Sequence, residues 1–325
     1  MNFQRRYQLY KHRVERRLVH LFRQRVPSTV YEPIRYFLRA GGKRVRPVVT
    51  LLACETAGGR AEAALDAAAA IEVLHGFTLI HDDMMDNADT RRGLQTIHRK
   101  WNDNVAILAG DEMIALAYHS LMKTRIQNAD GLVRAFTRAF IEVCEGQGLD
   151  SEFETKHDVS LEEYLHMIDK KTAEMFSAAA AVGAMIGGGS KREVNALRLY
   201  GKHLGRAFQI QDDLLDITAD EHLFGKSIGG DLKQGKKTYL ILQAVERTRG
   251  KERRLLEKVM HRSRISDDEV QAIRGIFERH GIVAEAQTLV KNNTRKAQRA
   301  IARFRPTPAR DMLAWFADAL MVRTS

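Results

Sequence analysis

Between residues 2 and 22 the apolar side chains Phe3, Leu9, Tyr10, Val14, Leu18, Val19 and Phe22 mostly recur three to five positions apart, with basic residues between them. This spacing predicts an amphipathic first helix. Pro27, Pro33 and the pair Gly41-Gly42 read as the punctuation of a connection, and Pro47 suits the first turn of a helix reaching Ala53 or beyond. Residues 61–86 form one alanine-rich, continuous segment. Helical spacing returns over 105–126, 132–147, 161–183, 192–216, 238–245, 253–260, 267–280 and 282–304. No strand alternation competes with it.

Proline, the strongest helix breaker, occurs only at 27, 33, 47, 306 and 308, so the span between Val48 and Phe304 is clear of it. The expected fold is all-α, a helical bundle. Nothing in composition marks a boundary or linker, which predicts one domain over 1–325. The longest run of small apolar residues, 175–189, spans about fifteen positions, short of the roughly twenty needed to cross a bilayer. It is expected to be a packed core helix ending at Gly187-Gly-Gly189, with no transmembrane segment.

Cys54 and Cys144 are too few for a disulfide framework and both lie among apolar neighbours, so buried thiols and a reducing, cytoplasmic setting are expected. The net charge of +11 is uneven, because residues 1–50 hold thirteen Lys or Arg against Glu15 and Glu32. An anionic partner follows. The chain has no helix-turn-helix or zinc pattern and no basic stripe interleaved with aromatics, which argues against nucleic acid and for small anions such as phosphates. The basic start is poor in serine and reads as an ordinary helix, not a transit peptide.

Against this background two stretches stand out: 79–89, which contains His81-Asp-Asp-Met-Met-Asp86, and 209–217, which contains Asp212-Asp-Leu-Leu-Asp216. Both set acids into apolar helices. On a helix Asp82 and Asp86 lie about 6 Å apart along the axis and point the same way, with Asp83 about 100° around. Asp212, Asp213 and Asp216 repeat the pattern. Six acids facing one cavity would repel each other unless cations were present, and an all-oxygen donor set favours a hard ion such as Mg²⁺. Because Mg²⁺ keeps few protein ligands, a phosphorylated substrate is implied. A calcium-loop reading fails, since the required glycine and glutamate are absent after Asp82 and Asp86.

Six segments, Gly41-Gly-Lys-Arg-Val-Arg-Pro47, His75-Gly-Phe-Thr-Leu-Ile-His-Asp-Asp-Met-Met-Asp86, Arg91-Arg-Gly93, Lys171-Thr172, Gln209-Ile-Gln-Asp-Asp-Leu-Leu-Asp216 and Gly225-Lys-Ser-Ile-Gly-Gly-Asp231, together resemble the trans-type polyprenyl diphosphate synthases. The resemblance covers about residues 35–245. It implies a bundle of the isoprenoid synthase type with a central active-site cavity, a homodimer, and condensation of isopentenyl diphosphate with an allylic diphosphate. The implied path is ionisation, condensation and proton loss, the proton passing to released pyrophosphate.

By the same resemblance Asp82, Asp83, Asp86, Asp212, Asp213 and Asp216 hold several Mg²⁺ ions. Arg91, Lys171, Thr172, Gln209, Lys226 and Lys236 contact the allylic diphosphate, Lys171 among the catalytic groups. Lys43, Arg46, His75 and Arg92 meet isopentenyl diphosphate at a metal-poor site. Arg44 is expected at the solvated surface. Product length is implied by Phe77, about 7.5 Å below Asp82 along the axis. By wheel geometry Thr78 and Leu74 lie more nearly beneath Asp82. Short or medium chains follow, geranylgeranyl diphosphate ahead of farnesyl diphosphate.

Two other classes of function are less well matched. A class I terpene cyclase usually replaces the second acidic motif and lacks the Lys43/Arg46 anion site, and a non-catalytic synthase subunit tends to lose one acidic motif. The tail, Met321-Val-Arg-Thr-Ser325, departs from the strongly basic end of some relatives, which leaves closure of the site by the C-terminus open.

Overall fold

In a computed structural model, the structure describes residues 2–23, 25–218 and 229–321. Helices dominate, as the spacing predicts. The chain divides into two compact units, Met1–Phe140 with Ala178–Arg198 and Phe304–Leu313, and Ile141–Ser177 with Leu199–Arg303 and Ala314–Ser325.

The first unit is built around α4 (Leu65–Met85), which packs against α1 (Phe3–Phe22), α3 (Val45–Thr56), α5 (Ile97–Lys100) and α6 (Asp103–Leu121). A 3-10 turn, Ala61–Ala64, leads into α4. The stretch Ala61–Met85 is long and apolar enough to cross a membrane by length and composition alone, and it was not the run singled out above. In the protein its apolar side chains are spent on packing: Ala67 to Ile71, Val73 and Leu74 are fully buried.

The segment read as a connection is instead α2 (Ser28–Arg39), which runs through Pro33. Val30, Tyr31, Ile34 and Phe37 recur at helical spacing and are all buried. Four such residues at about 1.5–3 kcal/mol each outweigh a loss of about 3 kcal/mol for an interior proline. After α4 comes a hairpin of two-residue strands, β1 (Thr90–Arg91) and β2 (Leu94–Gln95), too short to show alternation in sequence. Its central residues Arg92 and Gly93 both have positive φ, 52° and 77°, the backbone of a type I′ turn.

The second unit includes α8 (Leu161–Ile168) and α12 (Tyr239–Arg247), with α13 (Gly250–Met260), α14 (Asp267–Arg279) and α15 (Ile282–Ile301) packed around α12. Its buried core includes Tyr164, Ile210, Leu214, Ile241 and Phe277. Serine caps with a returning glutamate open α8 (Ser160, Glu163) and α14 (Ser266, Glu269).

Long helices α7 (Ala129–Thr155) and α10 (Lys191–Thr218) extend beyond the periodic stretches that announced them. The predicted helix over 161–183 is interrupted by a π turn, Asp169–Ala173, before α9 (Glu174–Ile186). A short α11 (Gly230–Lys233) follows α10, and the tail forms α16 (Pro308–Met321), with Met312, Leu313, Phe316 and Ala317 buried. Cys54 is buried as expected, whereas Cys144 is exposed because its position on α7 faces away from the core that holds Val143.

Glycines let backbones meet around the π turn. A Cβ at Gly146 of α7 would collide with the backbone nitrogen of Lys171, and one at Gly205 of α10 would lie 2.6 Å from Ala173 Cα. Gly148, two residues along α7, has nothing within 4 Å of that position. Gly146→Ala is therefore expected to destabilise by about 1–3 kcal/mol. Gly148→Ala should stabilise by about 0.5–1 kcal/mol through backbone entropy. Thermal unfolding followed by circular dichroism checks this, and shifts of the same sign would contradict the close packing.

Candidate active site

The C-terminal end of α4 carries the first acidic motif, and its three acids do not behave alike. Asp82 is half-buried and Asp86 exposed, but Asp83 is only 4% exposed. Arg91 Nε donates to both Asp83 carboxylate oxygens, at 2.7 and 2.9 Å. Burial pushes the Asp83 carboxyl up, and the Arg91 charge opposes that shift. Arg91 reaches Asp83 from β1, the first strand of the hairpin that follows α4. Asp83 was expected to bind metal with its neighbours; here its carboxylate accepts from Arg91.

The second motif repeats the division. Asp212 on α10 is exposed and Asp216 half-buried, whereas Asp213 is 4% exposed. The Tyr164 hydroxyl and Gln209 Nε2 both donate to Asp213, the latter at 3.1 Å. Gln209 Oε1 accepts from the Thr172 hydroxyl at 2.8 Å. Thus three expected site residues form one chain of hydrogen bonds, extended by Tyr164, for which 49 residues of separation left no sequence signal.

The π turn displaces Lys171 and Thr172 from regular helical register, a distortion common at functional sites. Lys171 Nζ bonds Asp150 at 2.6 Å, and Arg206 pairs with Asp169. Asp216 accepts from the Asp231 backbone N–H at 3.1 Å, and Lys236 Nζ lies 3.8 Å from the Asp231 carboxylate. Lys226 lies outside the described residues. Asp213 and Asp216 are each pushed up to about 7, first by burial and then by the charge of Asp231.

Cations gather in the first unit. Arg46 Nη1 lies 3.0 Å from His75 Nε2. Arginine cannot accept, so Nε2 must be the acceptor and the proton must sit on Nδ1. The imidazole is held neutral, its pKa lowered well below the ordinary value by burial and then by Arg46, Arg92, Arg91 and Arg44. Arg92 donates to the Gly41 carbonyl and lies so close to Gly42 that a Cβ there would be 2.8 Å from its guanidinium. Lys43 is exposed, and its carbonyl accepts from Tyr7. Lys43, Arg46, His75 and Arg92 therefore belong to one loop and its immediate supports.

Arg44, expected at the surface, is 5% exposed and bonds Glu72 at 2.6 Å, a partner 28 residues away. Below the acids, Phe77 is 7% exposed and meets Phe140 edge-on at 5.5 Å and His81 at 4.8 Å. Leu74 is fully enclosed. Thr78 is half-buried, and its hydroxyl donates to the His75 carbonyl at 2.9 Å. Phe140 was not foreseen, since nothing near it in sequence marks it.

Residues 27–277 match the family model for polyprenyl synthetase. Over 305 residues the chain is 39% identical to the short chain isoprenyl diphosphate synthase of Methanothermobacter thermautotrophicus, 91% of each chain being covered. The fold is similar to that of a geranylgeranyl pyrophosphate synthetase from Pyrococcus horikoshii Ot3, with a TM-score of 0.93, 35% identity, and coverage of 99% of this chain and 98% of that one. It is also similar to a polyprenyl synthase from Caulobacter crescentus CB15 complexed with calcium and isoprenyl diphosphate, with a TM-score of 0.91, 30% identity, and coverage of 100% and 98%. The chain belongs to the polyprenyl synthetase family and is a prenyltransferase.

The raised carboxyls give a pH dependence with a definite sign. Asp213 and Asp216 hold protons in the folded protein up to about pH 7, against an ordinary value of 3.8. Their stabilising contribution is present below about pH 4 and is lost as pH rises through 7. Without divalent metal the melting temperature should fall between pH 6 and pH 8, and an added divalent cation should restore more at pH 8 than at pH 6. Asp213→Asn should flatten the metal-free profile. A metal-free profile that rises toward pH 8, with Asp213→Asn unchanged, would contradict the assignment.

Proposed function

We propose that this member of the polyprenyl synthetase family joins isopentenyl diphosphate head-to-tail to an allylic diphosphate in trans geometry, with geranylgeranyl diphosphate as its main product. The observation that carries this reading is the cluster of Arg46, Arg92 and Arg91 around a neutral His75. Guanidinium groups whose charges all bear on one imidazole favour a multiply charged anion among them. A cyclase, which takes one diphosphate, has no use for such a site in addition to two intact acidic motifs.

In this reading Lys43, Arg46, His75 and Arg92 bind isopentenyl diphosphate. Neutral His75 keeps Arg46 oriented without adding a further positive charge. Lys171, Thr172, Gln209, Lys236 and Arg91 bind the allylic diphosphate, together with Lys226. Asp150 holds the Lys171 ammonium and Asp213 holds the Gln209 amide, so both are oriented before substrate arrives.

The acids fit Mg²⁺. Asp82, Asp86, Asp212 and Asp216 offer oxygen donors that are at least partly exposed, and the upward shift of Asp216 would be relieved by a cation. Among the described residues no three acidic, histidine or cysteine groups converge on one point. Water and diphosphate oxygens would then complete the shell, the arrangement Mg²⁺ favours. What the metal supplies when bound is neutralisation of the departing diphosphate. Asp83 and Asp213 support their motifs from the buried side.

Product length rests on the aromatic pair Phe77 and Phe140, which gives the hydrocarbon a firm end. A C20 product is favoured over C15 because Thr78, half-buried beside Phe77 on α4, is small. Residues 1–325 are read as one polyprenyl synthetase domain, since the family match runs through residues of both compact units. A homodimer is supported by the exposed apolar pair Ile107 and Leu108 on α6, at 46% and 49%. The setting is read as reducing and cytoplasmic from the low cysteine count of the sequence.

Incubation with Mg²⁺, labelled isopentenyl diphosphate and dimethylallyl, geranyl or farnesyl diphosphate should end at C20. Chains ending at C15 would make the enzyme a farnesyl diphosphate synthase, no incorporation would favour a non-catalytic subunit, and a cyclic hydrocarbon would favour a cyclase. Phe77→Ala should lengthen the product, and unchanged length would remove Phe77 as its limit. Light scattering should give twice the chain mass, with Ile107→Asp/Leu108→Asp reverting to one; monomeric wild type rejects the dimer.

A further inference from the structure

We infer that the buried Arg44–Glu72 ion pair is a positioning clamp for the isopentenyl diphosphate site, setting Arg46 and His75 without itself touching substrate. This rests on the function proposed above. Arg44 sits between two of the expected ligands, Lys43 and Arg46, yet turns the other way. It occupies the left-handed region, φ 51° and ψ 37°, at the residue that opens α3. A non-glycine residue stays there only where its surroundings hold it.

The surroundings are specific. Arg44 Nη1 bonds Glu72 at 2.6 Å, Nη2 donates to the Leu38 carbonyl at 3.3 Å, and Nε lies 3.7 Å from Glu15. Glu72 is itself 5% exposed. It precedes His75 by three residues on α4, so the two project from one face, about 4.5 Å apart along the axis. Glu72 grips Arg44 while His75 meets Arg46 at 3.0 Å. One turn of α4 thus engages two arginines that flank Val45. The same loop is tied to α1 through Tyr7 and to the hairpin through Arg92.

Stability alone does not explain this pair. Two charges buried together lose their hydration, and an apolar pair of similar size often serves a fold as well or better. What apolar side chains cannot do is direct the loop through fixed hydrogen bonds. Glu72 also keeps the Arg44 cation engaged, so that an incoming diphosphate does not draw it out of place. With Glu72 neutralised, Arg44 would compete with Arg46 for the phosphate and the loop would lose its register.

The test separates positioning from folding. Glu72→Gln should raise KM for isopentenyl diphosphate about tenfold while kcat and KM for the allylic diphosphate stay within about twofold, the pattern of lost ground-state binding. The double variant Arg44→Met/Glu72→Leu should melt near the wild-type temperature yet keep the raised KM. Calorimetry with inorganic pyrophosphate and no metal, which reports the metal-poor site, should show binding about tenfold weaker in the double variant. Wild-type KM and pyrophosphate affinity in a stably folded double variant would overturn the clamp, as would a rise in both KM values that simply follows the loss of stability. If wild type forms no prenyl product, the proposed function fails, and the pyrophosphate titration still decides the clamp.

Discussion

Burying one carboxylate in each acidic motif is the constraint on which the chemistry of this protein depends. Asp83 and Asp213 are each 4% exposed and each taken up by protein donors, Arg91 in one case and Tyr164 with Gln209 in the other. A helix is rigid about its axis, so anchoring one residue decides where the others point. Asp82 and Asp86, or Asp212 and Asp216, are then turned outward together. Each motif thus combines one buried, hydrogen-bonded carboxylate with two that are more exposed.

Charge of the other sign is handled by the same device. Arg44 is buried against Glu72, while its neighbour Lys43 is exposed and Arg46 is half-buried against His75. His75 stays neutral because burial and the surrounding guanidinium groups make its protonation costly. The cluster therefore gathers positive charge that only an anion can relieve. In the second unit, carboxyls pushed up to about 7 create the matching demand for a cation. Both units store electrostatic cost that ligand binding removes.

Close backbone contact makes these placements firm. The π turn that carries Lys171 and Thr172 is packed against Gly146 and Gly205, neither of which has room for a methyl group. Close packing on both sides leaves the turn little freedom to relax into a regular helix. Asp150 and Asp169, partners of Lys171 and Arg206, secure it by hydrogen bonds.

Sequence alone determined that the chain is helical, where most helices run, and that acids repeat at a spacing suited to one face. Those conclusions follow from local physics: the 3.6-residue period, the scarcity of proline and the chemistry of carboxylates. It also carried the resemblance that names the family, since six short segments with ordered spacing survive without any knowledge of packing. Tertiary structure alone decided which acid of each motif turns inward, why Arg44 is buried, why α2 tolerates Pro33 and why Cys144 is exposed. Periodicity gives the angle between two residues on a helix but not the direction of either in space. That direction comes from partners remote in sequence, such as Tyr164 for Asp213 and Glu72 for Arg44, which meet only when the chain has folded.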